Sequence, residues 1–284
     1  MLFNSRTDLA FEAYNILCQS EKSGIELEGI IVRDEVSSDV KIHSVEIINE
    51  VGAKVLGKSI GKYYTIELDT DFDRASDFFQ SAVFAISDLI NRCLPTYSCK
   101  SFLIAALGNP DITPDALGSL TASNILVTRH LKDSSDFNLF SSTALCRTGV
   151  LGTTGIESTA QIKMLCDSIH PDCVIAIDAL AGADISRVCS TIQISDSGIA
   201  PGSGVGNSRE EICFNTMGVP VISIGMPTVI DAAALSSDVE FKSMFVTPRG
   251  IDSSVRSAAK LIAYGINLAI HKGISINDID YLVG

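Results

Sequence analysis

The stretch CVIAIDAL, Cys173 to Leu180, sets five residues, four of them plainly apolar, directly ahead of an aspartate. An apolar run of that length reads as a strand buried on both faces. Three further runs share its character: SFLIAAL at 101 to 107, STIQIS at 190 to 195 and VPVISIG at 219 to 225. Helical stretches follow residues 115, 157, 209 and 253. Strands alternating with helices predict an α/β fold, a mainly parallel sheet flanked by helices.

The first third has a different texture. LEGIIVR (27 to 33), KIHSVEII (41 to 48) and YYTIEL (63 to 68) read as hairpin-like strands of an α+β elaboration. DRASDFFQSAVFAISDLINRCL, from residue 73, places Phe79, Val83, Ile86, Leu89 and Ile90 at helical spacing and stops at Pro95. No internal repeat or Pro/Ser-rich linker divides the chain, so the expectation is a single domain, 1 to 284, with residues 1 to 95 elaborating a core of 96 to 284.

A chain of 284 residues that is 46% hydrophobic can bury a sizeable core. Its 21 Lys+Arg against 34 Asp+Glu leave a net charge of -13, which repels phosphate backbones and argues against direct nucleic-acid binding. The first residues lack a basic region followed by an apolar one, and no apolar run reaches the roughly 18 residues of a membrane span. A soluble intracellular protein with no membrane partner is expected. Eight cysteines without a CxxC pair read as free thiols in a reducing compartment. The histidines at 43, 130, 170 and 271 stand far apart in sequence, so no metal or other cofactor is expected.

Sites in open α/β sheets form beyond the carboxyl ends of the strands. SFLIAAL delivers GNPDITPDALG, CVIAI delivers Asp178, STIQIS delivers Asp196 and GIAPGSGVGN, and VPVISIGMPTVI delivers Asp231. All four are expected on one rim. A carboxyl behind an apolar run is partly desolvated and holds its proton more tightly; the alternative for Asp178 is a buried cap or turn. Asp115 opens the predicted helix ALGSLTASNILVTRHL, where Thr113 could cap, Pro114 could fill the first turn and Asp115 could simply complement the dipole. If both aspartates meet, one keeps a proton, and the pair can activate water and polarise a carbonyl together.

Other motifs divide the same way. PGSGVGN, 201 to 207, could offer backbone N–H groups to an anion or an oxyanion, yet Asn207 stands where a dinucleotide fingerprint needs its last glycine. A structural turn is the simpler account. TGVLGTTGIEST, 148 to 159, suits either substrate-backbone binding or helix capping. No GxSxG elbow is present, and His130 is read as structural, near a helix end.

Seven segments, in order along nearly the whole chain, resemble the germination protease family of spore-forming bacteria: RTDLAFEA (6 to 13), GNPDITPDALG (108 to 118), VTRHL (127 to 131), GVLGTTGIES (149 to 158), VIAIDALA (174 to 181), TIQISDSGIAPGSGVGN (191 to 207) and GVPVISIGMPTVIDA (218 to 232). The resemblance implies a fold similar to hydrogenase maturation proteases and an endopeptidase of the spore core. Its implied substrates are the small acid-soluble proteins that coat spore DNA. It implies an atypical aspartic mechanism whose two aspartates, in the TPDALG and AIDALA motifs, fall on Asp115 and Asp178. Asn109 and Asp231 are expected to orient that pair. Thr154, Glu157, Ser203 and Gly204 are expected to support it or bind substrate, and Asp111 to stand by. The resemblance also implies a homotetramer and a zymogen cut just before RTDLA. Only MLFNS precedes that segment here, so either different regulation or a start near the mature terminus is expected. The alternative from another class is a non-catalytic anion- or nucleotide-binding α/β module built on PGSGVGN, and a third is a degenerate homologue kept as a scaffold.

Overall fold

β-Branched and apolar runs make the strands, and several of the breaks that follow them hold glycine, proline or asparagine, as at Gly108-Asn109-Pro110 after β4. The computed structural model describes residues 7–20, 27–69, 71–95, 99–131, 140–207, 209–232 and 244–283. In chain order the elements are α1 (Ala10–Ser20), β1 (Ile30–Ser37), β2 (Val40–Ile47), α2 (Glu50–Leu56), β3 (Gly61–Glu67), α3 (Asp77–Cys93), β4 (Ser101–Leu107), α4 (Leu117–Ala122), β5 (Ser142–Gly149), α5 (Leu151–Thr154), α6 (Ser158–Ile169), β6 (Cys173–Gly182), β7 (Thr191–Ser195), α7 (Phe214–Met217), β8 (Val221–Asp231), β9 (Phe245–Val246), α8 (Ile251–Ile270) and α9 (Ile276–Val283).

These strands form one sheet in the order β1-β2-β3-β7-β8-β6-β4-β5, with β9 against β8. The α/β class with flanking helices and an N-terminal α+β layer is as expected. β5, β4, β6 and β8 are mutually parallel, while β7 runs antiparallel to both β3 and β8. The parallel assignment of STIQIS is therefore corrected. The chain between β6 and β7 offers one 3₁₀ turn, Ile185–Arg187, whereas a parallel crossover needs a dozen residues or more and usually a helix.

Two further expectations change. The helical stretch after 209 shrinks to the four residues of α7, and the helix predicted over 116 to 131 ends at Ala122. Asn267, fully buried on α8, explains the second case. Its side chain accepts the Leu126 N–H (3.0 Å) and donates to the Asn124 carbonyl (2.8 Å). A buried amide thus replaces the bonds a longer helix would supply. VTRHL finishes in a short 3₁₀ turn, Arg129–Leu131.

β6 is buried along both faces, as its apolar run requires. On one face, Ile104, Ile175, Ile177 and Ile224 pack with Phe79 of α3 and Tyr264 of α8. The opposite face carries Leu103, Ala105, Val174 and Ala176 against Ile162 and Cys166 of α6. The predicted α3 stripe, Phe79, Val83, Ile86, Leu89 and Ile90, is wholly inside. β1 and β2 form a hairpin whose two turn residues, Ser38 and Asp39, take positive φ. All eight cysteines are free thiols. Among the described residues, no helix is long and apolar enough to cross a membrane.

α4 lies hard against the sheet at Gly118. A Cβ there would stand 2.4 Å from the Leu107 carbonyl oxygen and 2.7 Å from that of Ile177, and backbone does not yield as a side chain can. Gly118→Ala is expected to cost about 1–3 kcal/mol of stability, read by urea denaturation. An unchanged midpoint would show that α4 does not seat as described.

Candidate active site

β6 does not stop at Ile177. The apolar run continues through Ala179, Leu180 and Ala181 and pairs with a similarly long β8, so Asp178 lies inside the sheet, opposite Gly225, rather than at a strand end. Period-2 alternation turns its side chain to the face of Val174 and Ala176. Asp178 is 6% exposed, and its Oδ1 accepts the N–H of Ala179 at 2.9 Å. Burial first, then the charge of Asp115, holds the Asp178 carboxyl well above the ordinary carboxylate range; Asp8 adds to the effect.

Asp115 reaches the same place from the other side. It closes a 3₁₀ turn, Thr113–Asp115, between β4 and α4. The Thr228 hydroxyl of β8 donates to the Pro114 carbonyl (2.6 Å), and the Thr113 hydroxyl donates to Asp252 of α8 (2.9 Å). Thr113 does not cap α4, which starts without a side-chain cap bond. Asp115 Oδ2 accepts the backbone N–H of Asn109 at 2.8 Å. Burial raises the Asp115 pKa and that N–H lowers it. Gly108 makes this possible: its φ is +89°, and a Cβ would fall 2.0 Å from the Asp115 carbonyl oxygen. Both carboxyls are thus held above the ordinary range, Asp178 the more strongly, while Asp115 keeps an N–H donor that favours its anion.

The remaining expected residues scatter. Asn109 acts through its backbone, while its side chain accepts the N–H of Asp111 (3.0 Å). Thr154 ends α5 and bonds locally to Val150 and Ile156. A cavity of about 420 Å³ nevertheless brings Asn109, Leu120, Arg147 and Thr154 to common walls. Glu157 pairs with Arg209 (3.2 Å) instead of capping α6. Asp231 ends β8 six residues beyond Gly225, about 20 Å along the strand from the level of Asp178. Asp196 is on the wrong rim: because β7 is antiparallel, Ser195 pairs with Ser223 near the start of β8, and Asp196 accepts the Lys62 N–H (2.7 Å). The expectation of four aspartates on one rim is corrected accordingly.

In the glycine-rich loop, the N–H groups of Ser203, Gly206, Asn207 and Arg209 bond to carbonyls within the loop, as in a turn. Two participants were missed in the sequence. Thr228 carries no signal of its own, and Asp8, within RTDLAFEA, looks like an ordinary residue ahead of a helix. Among the described residues, no three His, Cys, Asp or Glu side chains group as metal ligands.

The germination protease family model matches residues 10–242. The germination protease of Caldanaerobacter subterraneus subsp. tengcongensis is 35% identical over 98% of this chain and 98% of that protein. That of Clostridium perfringens (strain ATCC 13124) is 37% identical over 98% and 99%, and that of Geobacillus sp. (strain WCH70) 43% identical over 84% and 66%. Among solved structures, a [NiFe] hydrogenase maturation protease, HycI from Thermococcus kodakarensis KOD1, is similar with a TM-score of 0.38 and 16% identity, covering 63% of this chain and 98% of that one.

Burial of Asp178 carries a stability signature. Its folded-state pKa lies above its unfolded one, so the folded state binds the proton more tightly and stability falls as pH rises between the two. Denaturation midpoints from about pH 4 upward are expected to show this decline in the wild type and to lose most of it in Asp178→Asn. Parallel curves would contradict the buried, proton-holding state.

Proposed function

We propose a mechanism for a chain that belongs to the germination protease family and so is a peptidase of spore germination: Asp115 and Asp178 together hydrolyse peptide bonds of small acid-soluble spore proteins. The supporting observation is the coupling of two carboxyls, one inside the sheet and one on a pinned turn.

With Asp178 protonated and Asp115 ionised, Asp115 takes a proton from water as the oxygen attacks the scissile carbonyl carbon. Asp178 gives its proton to the carbonyl oxygen, where negative charge would otherwise build. The tetrahedral intermediate then collapses: the C–N bond breaks, Asp115 passes its proton to the departing nitrogen, and the gem-diol returns one to Asp178. One water is consumed and the pair is restored. The 420 Å³ cavity beside Asn109 and Thr154, with the loops at 149–158 and 198–207, supplies walls for an extended substrate. The anion-module alternative is weakened by the loop's internally bonded N–H groups.

Family resemblance supports the wider proposal of a single-domain enzyme of the spore core, made as a zymogen and assembled as a homotetramer. The net charge of -13 suits an enzyme that acts on DNA-coating proteins without itself binding DNA.

Asp115→Asn and Asp178→Asn are each expected to lower kcat on a purified small acid-soluble spore protein by about 10³-fold or more while the variants remain folded. Cleavage within tenfold of wild type by either one would overturn the pair.

A further inference from the structure

The segment just ahead of α1 is fastened to the strand that carries Asp178. The Asp8 N–H donates to the Ala181 carbonyl (2.9 Å), and the Ala181 N–H donates back to Asp8 Oδ2 (2.9 Å). The Gln193 side chain of β7 closes the other edge, donating to the Asp8 carbonyl (3.1 Å) and accepting the Ala10 N–H (2.7 Å). Lys58, after α2, donates to the Thr7 carbonyl (2.7 Å). Glu12 of α1, itself buried, accepts the N–H of Ala183 at 2.8 Å. So many bonds place the Asp8 carboxylate at one spot, three residues along β6 from Asp178.

The second oxygen, Asp8 Oδ1, accepts the hydroxyl of Ser203 at 2.6 Å. One residue on, a Cβ at Gly204 would stand 2.2 Å from Asp8 Oδ2 and 2.7 Å from the Ala181 Cβ. The glycine-rich loop therefore closes directly over this carboxylate. Asp8 and Ser203 both line a cavity of about 230 Å³ that runs to Leu180 and to Gly225, the strand partner of Asp178. Nothing in PGSGVGN needs this arrangement in order to turn.

We propose that Asp8 is a positioning residue of the peptidase: it fixes the 198–207 loop to the Asp178 strand and places a third carboxylate three residues along β6 from Asp178. This rests on the aspartate-pair mechanism and extends it to the N-terminal segment, whose docking completes the site. The negative charge of Asp8 favours the protonated form of Asp178, and the Ser203 bond holds the loop that walls the substrate. The titratable groups facing Asp8 are Asp178 of β6, Glu12 of α1, Lys58 after α2 and, across the cavity, Tyr63 of β3 and Glu211.

Two variants separate charge from placement, with cleavage of a purified small acid-soluble spore protein followed against pH. Asp8→Asn keeps the size, an oxygen for the Ala181 N–H and an NH2 that can donate to the Ser203 hydroxyl oxygen, but loses the charge. It is expected to move the alkaline limb of the kcat/KM profile, that of Asp178, about half a unit to lower pH. Asp8→Glu keeps the charge but adds a methylene where Gly204 leaves no room, and is expected to raise KM at least fivefold with the limbs in place. A purely structural role would lower kcat in both variants without moving the limbs or KM, and that result overturns the inference. An unmoved alkaline limb in Asp8→Asn together with a KM within twofold in Asp8→Glu does so as well. If Asp178→Asn abolishes cleavage in the same assay, only the role of Asp8 falls; if Asp178→Asn cleaves normally, the pair mechanism falls too.

Discussion

A carboxyl group shut inside a sheet has little water to solvate its charge, and the chemistry proposed for this fold follows from that constraint. Asp178 sits within β6, flanked by apolar residues, with the single N–H of Ala179 on its oxygen. Ionising it alone would be costly in such surroundings. Asp115, arriving on a separate turn with an N–H already on its carboxylate, makes the second ionisation harder still. Two like groups in unlike surroundings are thereby pushed into unlike protonation states. That difference is what the proposed water-activating mechanism needs, and it arises without a nucleophilic side chain.

The scaffold works to keep that arrangement. β6 lies between β4 and β8, with α3 and α8 packed over one face and α6 over the other. Burial of this apolar surface offsets the unfavourable carboxyl. The TPD turn hangs from two different elements through Thr228 and Thr113, so Asp115 is placed by tertiary structure rather than by its own helix. The glycine-rich loop is likewise set by a distant residue, Asp8, through the Ser203 hydroxyl. The Asp115 turn and the glycine-rich loop are thus each held from outside their own segments.

This division explains what could be read in the sequence. β4, β6, β8 and α3 were legible because burial on both faces of a strand, or along one stripe of a helix, imposes an apolar pattern that chemistry alone reveals. The direction of β7 was not, since its apolar run looks the same either way and the short connector decides. The length of β6 past Asp178 was hidden by the aspartate itself, which mimics a strand end. The early stop of α4 depends on Asn267, 145 residues beyond Ala122 in the chain. Asp115 and Asp178 could be nominated from their apolar neighbours and from resemblance, whereas Asp231 and Asp196 shared that local signal and were separated from the pair only by strand length and direction. Asp8 had no local signal, because its partners lie on β6, β7 and the glycine-rich loop.

The central claim concerns protons, and carboxyl-selective titration tests it directly. With aspartate carboxyl carbons isotopically labelled, and Asp115→Asn and Asp178→Asn used to assign the resonances, NMR from acid to mildly alkaline pH reads each group. One proton is expected to persist on the pair at neutral pH, mainly on Asp178, and to leave well above the ordinary carboxylate range. Two independent titrations near pH 4, each unaffected by substitution of the other aspartate, would contradict the account.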